Sequence, residues 1–241
     1  MSLAPGGLAE RAFNHTAHVV DEIGRAIVVG EYPANTMIPL DPDLEEMFGV
    51  SRTVIREAKK MLIAKGMLTS KAKVGTRVLP PADWNMFDPD VLRWHMMGQV
   101  PEAFLRELFE IRLIVEPAAA ARVAARARPE DAAALGLLCD DLAAAGSRSD
   151  FAVADLALHH RILALSGNRF LGSLGNLAQT ALYSMLMAEA SDAPRSPEEL
   201  RNVVDSHRAI VAAIAAADPE AAADTMRAVI ETARGALFSR R

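Results

Sequence analysis

The chain has 241 residues, of which 51% are hydrophobic and 24% charged, and its formal net charge is −5. This length and composition predict a small domain and a larger one, each with its own hydrophobic core. The only cysteine, Cys139, excludes an internal disulfide and a cysteine-based zinc site, which fits a reducing cytoplasm. Because the sequence has neither an apolar run long enough to span a membrane nor a secretory signal at its start, we expect a cytoplasmic protein.

The first predicted helix covers residues 16–29 and serves as scaffold for a helix-turn-helix at residues 44–66, LEEMFGVSRTVIREAKKMLIAKG. Gly49 can adopt the left-handed conformation that ends a helix, and the Ser51 hydroxyl can cap the next one. In that second helix an apolar stripe is predicted to be buried, which leaves several polar and basic side chains pointing outward. The stripe is Val54, Ala58, Met61 and Leu62, and the outward set is Arg52, Thr53, Arg56, Lys59 and Lys60.

Positive charge is concentrated in residues 51–78, which contain eight Lys or Arg and one acid, Glu57. A solvated charged face is the ordinary alternative for such a run, but a local charge of +7 in an acidic protein favours contact with nucleic acid. Two short β-like runs follow, at residues 67–70 and 76–79, around a basic turn that contains Lys71 and Lys73. They predict a wing, so that residues 10–80 form a winged helix-turn-helix domain and the proline-containing segment 81–87 a linker.

Residues 88–241 are predicted to form an all-helical bundle, so that the fold class is mainly α. The expected helices lie at 88–98, 101–127, 129–145, 150–166, 168–191, 197–217 and 219–238. From residue 81 onward, acidic residues outnumber basic ones by six, so this domain is not expected to bind DNA.

Within this bundle, Asp155 and His159 are spaced i, i+4 and share one face of their helix with apolar residues. A buried carboxylate requires a cationic partner, a hydrogen-bonded network or a metal. His207 also lies on an apolar face, where a single histidine is more often an ordinary core residue than a ligand. Together, however, one Asp and two His suit a first-row divalent ion, and they predict a metal site.

The residues 38–79, with FGVSRTVIREA at the turn, resemble the winged helix of GntR-family bacterial transcriptional regulators. The resemblance implies DNA contacts by five residues, which are Ser51, Arg52, Thr53, Arg56 and, in the wing, Lys73. One position departs from the family, because many members carry a DNA-contacting arginine where this chain has Pro42.

Residues 88–237 are similar to the helical FCD effector domain of the FadR-like GntR branch, whose usual metal ligands are one Asp and three His. Asp155, His159 and His207 match three of them, while the last position holds Val229, which cannot coordinate. Arg112 matches an arginine that faces the effector pocket in that family, and an ion pair with Glu116 is its structural alternative. The phrase WNMFDPDVLRW resembles members that respond to sugar acids such as galactonate.

These features predict a homodimeric regulator, expected to be a repressor, whose operator binding responds to a small carboxylate effector. The expected cofactor is a divalent ion, with zinc favoured over nickel or manganese. Two alternatives remain open on the sequence: a metal-dependent hydrolase built on a helical bundle, and a constitutive DNA-binding protein with a structural metal.

Overall fold

A computed structural model describes residues 6–71, 74–97, 100–175 and 196–239, with side chains from residue 15 onward. The contacts divide the chain into two compact units, Met1–Gly98 and Gln99–Arg241. Among the sequence predictions, Lys73 and most of the helix expected at 168–191 lie outside the described residues. In the described part of the chain, no helix is both long enough and apolar enough to cross a membrane.

The N-terminal unit is a winged helix. Its elements are α1 (Gly6–Val28), α2 (Asp41–Phe48), α3 (Arg52–Ala64), β1 (Leu68–Lys71), β2 (Gly75–Val78), a 3₁₀ turn (Pro81–Asp83) and α4 (Pro89–His95). The strands pair antiparallel, with Leu68 opposite Val78 and Lys71 opposite Gly75. Both strands lie within one residue of their predicted positions, so the wing is present where the sequence placed it.

The turn between α2 and α3 follows the predicted chemistry in part. Gly49 ends α2 with φ of 63°, in the left-handed region that glycine adopts without strain. Ser51 occupies the N-cap position of α3, but its hydroxyl makes no capping hydrogen bond. The prediction for Met61 was wrong, because its side chain is 39% exposed whereas Ile55 is fully buried. The buried stripe of α3 therefore contains Ile55 in place of Met61.

The expected domain boundary at 81–87 is also corrected by the structure. Residues 81–83 form the 3₁₀ turn, and Trp84 is buried in the core of the N-terminal unit. Helix α4 packs on α1, where the indole Nε1 of Trp94 donates to Asp21 at 2.7 Å. The proline-containing segment is thus part of the first unit, and the boundary lies at Gly98–Gln99.

The C-terminal unit is helical throughout its described residues. Its helices are α5 (Glu102–Ala124), α6 (Pro129–Ala144), α7 (Arg148–Leu165), α8 (Pro197–Ala215) and α9 (Pro219–Phe238), and residues 169–175 are also helical. Helix α5 packs against α7, α8 and α9, while α6 packs against α7 and α8. Helices α7 and α8, which contain the predicted metal ligands, therefore both pack against α5 and α6.

Candidate DNA-binding surface and metal site

The start of α3 presents the predicted DNA contacts to solvent. Ser51, Arg52, Thr53 and Arg56 are all exposed, and the Arg52 side chain is 73% exposed. Arg52 and Arg56 line a cleft of about 650 Å³, whose wall on the wing side includes Lys71. A basic helix end beside a basic wing has the shape and charge needed to contact the major groove and the adjacent phosphates.

Two of the eight cations counted in the sequence are buried and form ion pairs within the N-terminal unit. Lys59, expected to point outward, is only 8% exposed, and its Nζ lies 2.6 Å from Oδ1 of Asp41 at the start of α2. This ion pair links α2 to α3. Asp41 also lies 4.0 Å from Nε of Arg52, so one carboxylate contacts both the internal lysine and the exposed arginine.

Lys65, directly after α3, belongs to a second internal network. Its Nζ lies 2.8 Å from the carboxylates of Asp88 and Asp90, at the start of α4. Burial opposes the charge of Lys65, but the two carboxylates outweigh it and raise its pKa. Burial likewise opposes ionisation of Asp90, and its hydrogen bond to Lys65 outweighs this and lowers its pKa. The C-terminal end of α3 is therefore held to α4 by ion pairs.

In the C-terminal unit, the three predicted metal ligands come together. Oδ1 of Asp155 lies 3.0 Å from Nε2 of His207 and 3.9 Å from Nε2 of His159. The two Nε2 atoms are 3.3 Å apart, and the imidazole planes are nearly perpendicular, at 86°. Asp155 and His159 are supplied by α7, and His207 by α8. Both histidines are almost fully buried.

The outer nitrogens of both imidazoles are occupied by acceptors. Nδ1 of His207 lies 2.7 Å from the carbonyl oxygen of Val203, and Nδ1 of His159 lies 2.5 Å from Oε2 of Glu116. A carbonyl oxygen and a carboxylate can only accept, so each Nδ1 carries the proton that it donates. In the neutral imidazoles both Nε2 atoms then present lone pairs, and they point toward each other and toward Asp155. This tautomer and convergence are typical of histidines that bind a metal through Nε2.

Arg112 and Glu116, one turn apart on α5, form a buried ion pair beside these ligands. Nε of Arg112 donates to Oε1 of Glu116 at 2.5 Å and Nη2 donates to Oε2 at 3.2 Å. Burial opposes ionisation of Glu116, but Arg112 and then His159 outweigh it and lower its pKa to about 2. The sequence suggested Glu116 only as a partner of Arg112, and its contact with His159 was not predicted.

The charge of Asp155 is compensated within the same cluster. Burial again opposes ionisation, and the nearby imidazoles of His159 and His207 outweigh it and lower the pKa of Asp155. Burial disfavours the cationic form of His207, but the hydrogen bond to Asp155 outweighs that effect and raises its pKa. His207 protonated at both nitrogens can therefore pair with Asp155, whereas binding of a metal ion through Nε2 requires the neutral form.

Two protein-family profiles match the chain. Residues 15–78 match "Bacterial regulatory proteins, gntR family", and residues 107–232 match the FCD domain, which alone spans more than half of the 241 residues. The chain belongs to the GntR family, with an FCD domain. It is a transcriptional regulator with a DNA-binding winged helix, and it is not an enzyme, so the hydrolase alternative is set aside.

Two relatives that align over most of this chain are named as transcriptional regulators. The uncharacterized HTH-type transcriptional regulator YieP of Escherichia coli K12 is 32% identical and aligned over 89% of this chain and 91% of its own. The galactonate operon transcriptional repressor of the same strain is 30% identical over 81% and 87% of the two chains. Lar, which controls expression of the Listeria monocytogenes agr system, has a solved structure with a TM-score of 0.58 at 16% identity, covering 90% and 93% of the chains. This last similarity supports the fold alone.

Proposed function

We propose that this GntR-family regulator is a repressor whose affinity for its operator is controlled by a small carboxylate bound beside a divalent metal in the FCD domain. The observation that carries the proposal is the convergence of two imidazole Nε2 atoms and one carboxylate oxygen, all within 4.8 Å of one another. Donors at this spacing suit a metal ion, and the Nδ1 atoms of both histidines already have acceptors, which leaves their Nε2 atoms to bind the ion.

The donor set favours zinc. Two imidazoles and one carboxylate are a usual set of zinc ligands. Nickel or manganese can bind the same three atoms, but this ligand set is less typical of them. Asp155, His159 and His207 would hold the ion, which would supply positive charge to bind an anionic effector. Because Val229 provides no donor at the usual fourth position, water or effector oxygens would complete the coordination.

Arg112 supports a carboxylate effector. Its side chain is buried and two of its nitrogens are used by Glu116, yet Nη1 makes no hydrogen bond to any residue in the described part of the chain. A buried guanidinium N–H group without a partner is costly, and a ligand carboxylate is the partner that its geometry suits. Among the relatives, the galactonate operon repressor favours a sugar acid, and a probable repressor of a D-xylose utilization operon from Paenarthrobacter nicotinovorans supports the role of repressor.

The proposal includes a homodimer that acts in the cytoplasm on a two-fold operator. A single winged helix offers few base contacts, and paired copies would read two half-sites in register. Effector binding would then shift the dimer between arrangements that do and do not fit both half-sites.

A thermal-shift screen tests the proposal. The purified protein would be heated with hexonates, uronates and other small carboxylates, each with and without added Zn²⁺. A ligand that binds only the folded state raises its stability, by roughly 2.7 kcal/mol at one hundred times its dissociation constant. We expect at least one sugar acid to raise the melting temperature only when Zn²⁺ is present. If Zn²⁺ raises stability and no carboxylate adds to it, the ion is structural; if neither has an effect, the proposed site fails.

A further inference from the structure

Glu116 forms hydrogen bonds both to the proposed effector-binding arginine and to a proposed metal ligand. Its Oε2 atom accepts from Nδ1 of His159 at 2.5 Å, and the Arg112 fork covers both of its oxygens. The Glu116 side chain is 2% exposed, so these hydrogen bonds replace its contacts with water. Glu116 lies on α5 and His159 on α7, so the hydrogen bond also joins two helices of the bundle.

The contact with Glu116 determines which nitrogen of His159 faces the cluster. Without an acceptor at Nδ1, a neutral imidazole can carry its proton on either nitrogen, and the form protonated at Nε2 cannot bind a metal there. For His207 the same tautomer is selected by the backbone carbonyl of Val203, which is present whatever side chain stands at that position. For His159 the selection depends on a side chain, and a charged acceptor makes it stronger than the carbonyl does.

We propose that Glu116 is a positioning residue that fixes His159 as the Nδ1-protonated tautomer, directs its Nε2 into the metal site and holds the Arg112 fork so that Nη1 faces an anionic ligand. The proposal rests on the proposed metal and carboxylate site. It adds that metal affinity and effector affinity are linked through one carboxylate, because moving Glu116 disturbs both partners. By reciprocity, any strengthening of effector binding by metal equals the strengthening of metal binding by effector.

The test must separate two properties of Glu116: the oxygen acceptor that it offers to His159 and the negative charge that it places beside Arg112. Glu116→Gln alone would leave Arg112 as a buried unpaired cation, which endangers folding. We therefore compare two double variants, Arg112→Met with Glu116→Gln and Arg112→Met with Glu116→Leu. Both lack the ion pair, but only the glutamine offers His159 an oxygen acceptor. Glu110→Gln, which removes an exposed carboxylate from the same helix, controls for the change in charge.

Two measurements are made on each full-length variant. The Zn²⁺ dissociation constant is obtained by competition with a chromophoric chelator, and the tautomer of His159 is read by nitrogen-15 NMR of the metal-free protein. We expect the leucine variant to bind Zn²⁺ about 10–100-fold more weakly than the glutamine variant. Losses of this size are usual when a ligating histidine loses the acceptor of its other ring nitrogen. We also expect His159 to be protonated at Nδ1 in the wild type and the glutamine variant, and to become a mixture of tautomers in the leucine variant.

The outcomes distinguish this inference from the proposed function. Equal Zn²⁺ affinities in the two double variants, or an unchanged Nδ1-protonated His159 in the leucine variant, would overturn the role of Glu116. If the wild type binds no Zn²⁺, the proposed metal site fails, and the tautomer measurement alone decides about Glu116. If the leucine variant loses its helical circular dichroism, the wild type and the glutamine variant are compared instead. His159 must then be protonated at Nδ1 in both.

Discussion

Replacing Arg52 or Arg56 by alanine should weaken operator binding without destabilising the protein. The Arg52 side chain is 73% exposed, and its closest carboxylate, Asp41, is 4.0 Å away. Arg56 is also exposed and forms no ion pair with any described residue. Surface side chains with so few contacts change the free energy of unfolding by less than about 0.5 kcal/mol when truncated.

The expected loss in DNA binding is larger. An arginine that makes a paired contact with a base edge contributes about 1–3 kcal/mol, which corresponds to a roughly 5- to 150-fold rise in the dissociation constant. An arginine that contacts only a phosphate would instead lower the slope of log affinity against log salt by about 0.9. The two kinds of contact can therefore be told apart by repeating the titration at several salt concentrations.

The assay is a fluorescence-anisotropy titration with a duplex selected by the wild-type protein from a random pool. Arg227→Ala provides the matched control, because Arg227 is a half-exposed arginine of the C-terminal unit that is paired with Asp224 one turn away. We expect the control to bind like the wild type. Wild-type affinity and salt dependence in both Arg52→Ala and Arg56→Ala would remove the start of α3 from the interface and refute this account of the DNA-binding surface.

Three further predictions follow from the buried charges and the coordination site. Lys59→Gln should lower the free energy of unfolding, because it removes the ion pair with Asp41. It should leave the salt dependence of DNA binding unchanged, because the Lys59 amine is paired with Asp41 and not with phosphate; a smaller salt slope would contradict this. Lys65→Met should cost about 1–3 kcal/mol in chemical unfolding at neutral pH, since it removes the cation of Asp88 and leaves Asp90 with Arg93 alone. Because Lys65 lowers the pKa of Asp90, this stabilisation is lost as the pH falls below the ordinary carboxyl range, so the wild type and the variant should converge in acid; a constant difference would argue against the ion pair. Val229→His should tighten Zn²⁺ binding and weaken carboxylate binding, which calorimetry with each ligand would measure; unchanged affinities would place residue 229 away from the ion.

The sequence predicted those parts of the fold that depend on local pattern. Gly49 was expected to close α2 because only a short turn separates two helical patterns, and the structure has it in the left-handed conformation. Asp155 and His159 were expected on one face because they are four residues apart on one helix. His207 was added because, together with Asp155 and His159, it completes a set of ligands that suits a divalent ion, although a single histidine on an apolar face is more often a core residue. The structure brings their donor atoms within 4.8 Å.

What the sequence could not predict are contacts between residues distant along the chain. Lys59 and Lys65 look like the exposed arginines in a count of charge, but their partners lie 18 and 23 residues away and become neighbours only when α2 and α4 pack. Glu116 was expected to pair with Arg112 one turn away, yet its contact with His159 spans 43 residues. The domain boundary was misplaced for a similar reason, because Trp84 and Trp94 bury the proline-containing segment in the first unit.

The central claim, that a metal-bound carboxylate controls operator binding, is tested most directly by one anisotropy experiment. Wild-type protein bound to the selected duplex is titrated with the carboxylate that stabilises it, first as purified with Zn²⁺, then after complete removal of metal by a chelator, and finally after Zn²⁺ is restored. The account predicts release of the duplex in the first and third titrations and no release, at the same carboxylate concentrations, in the second. Release at the same concentrations in all three titrations would contradict it.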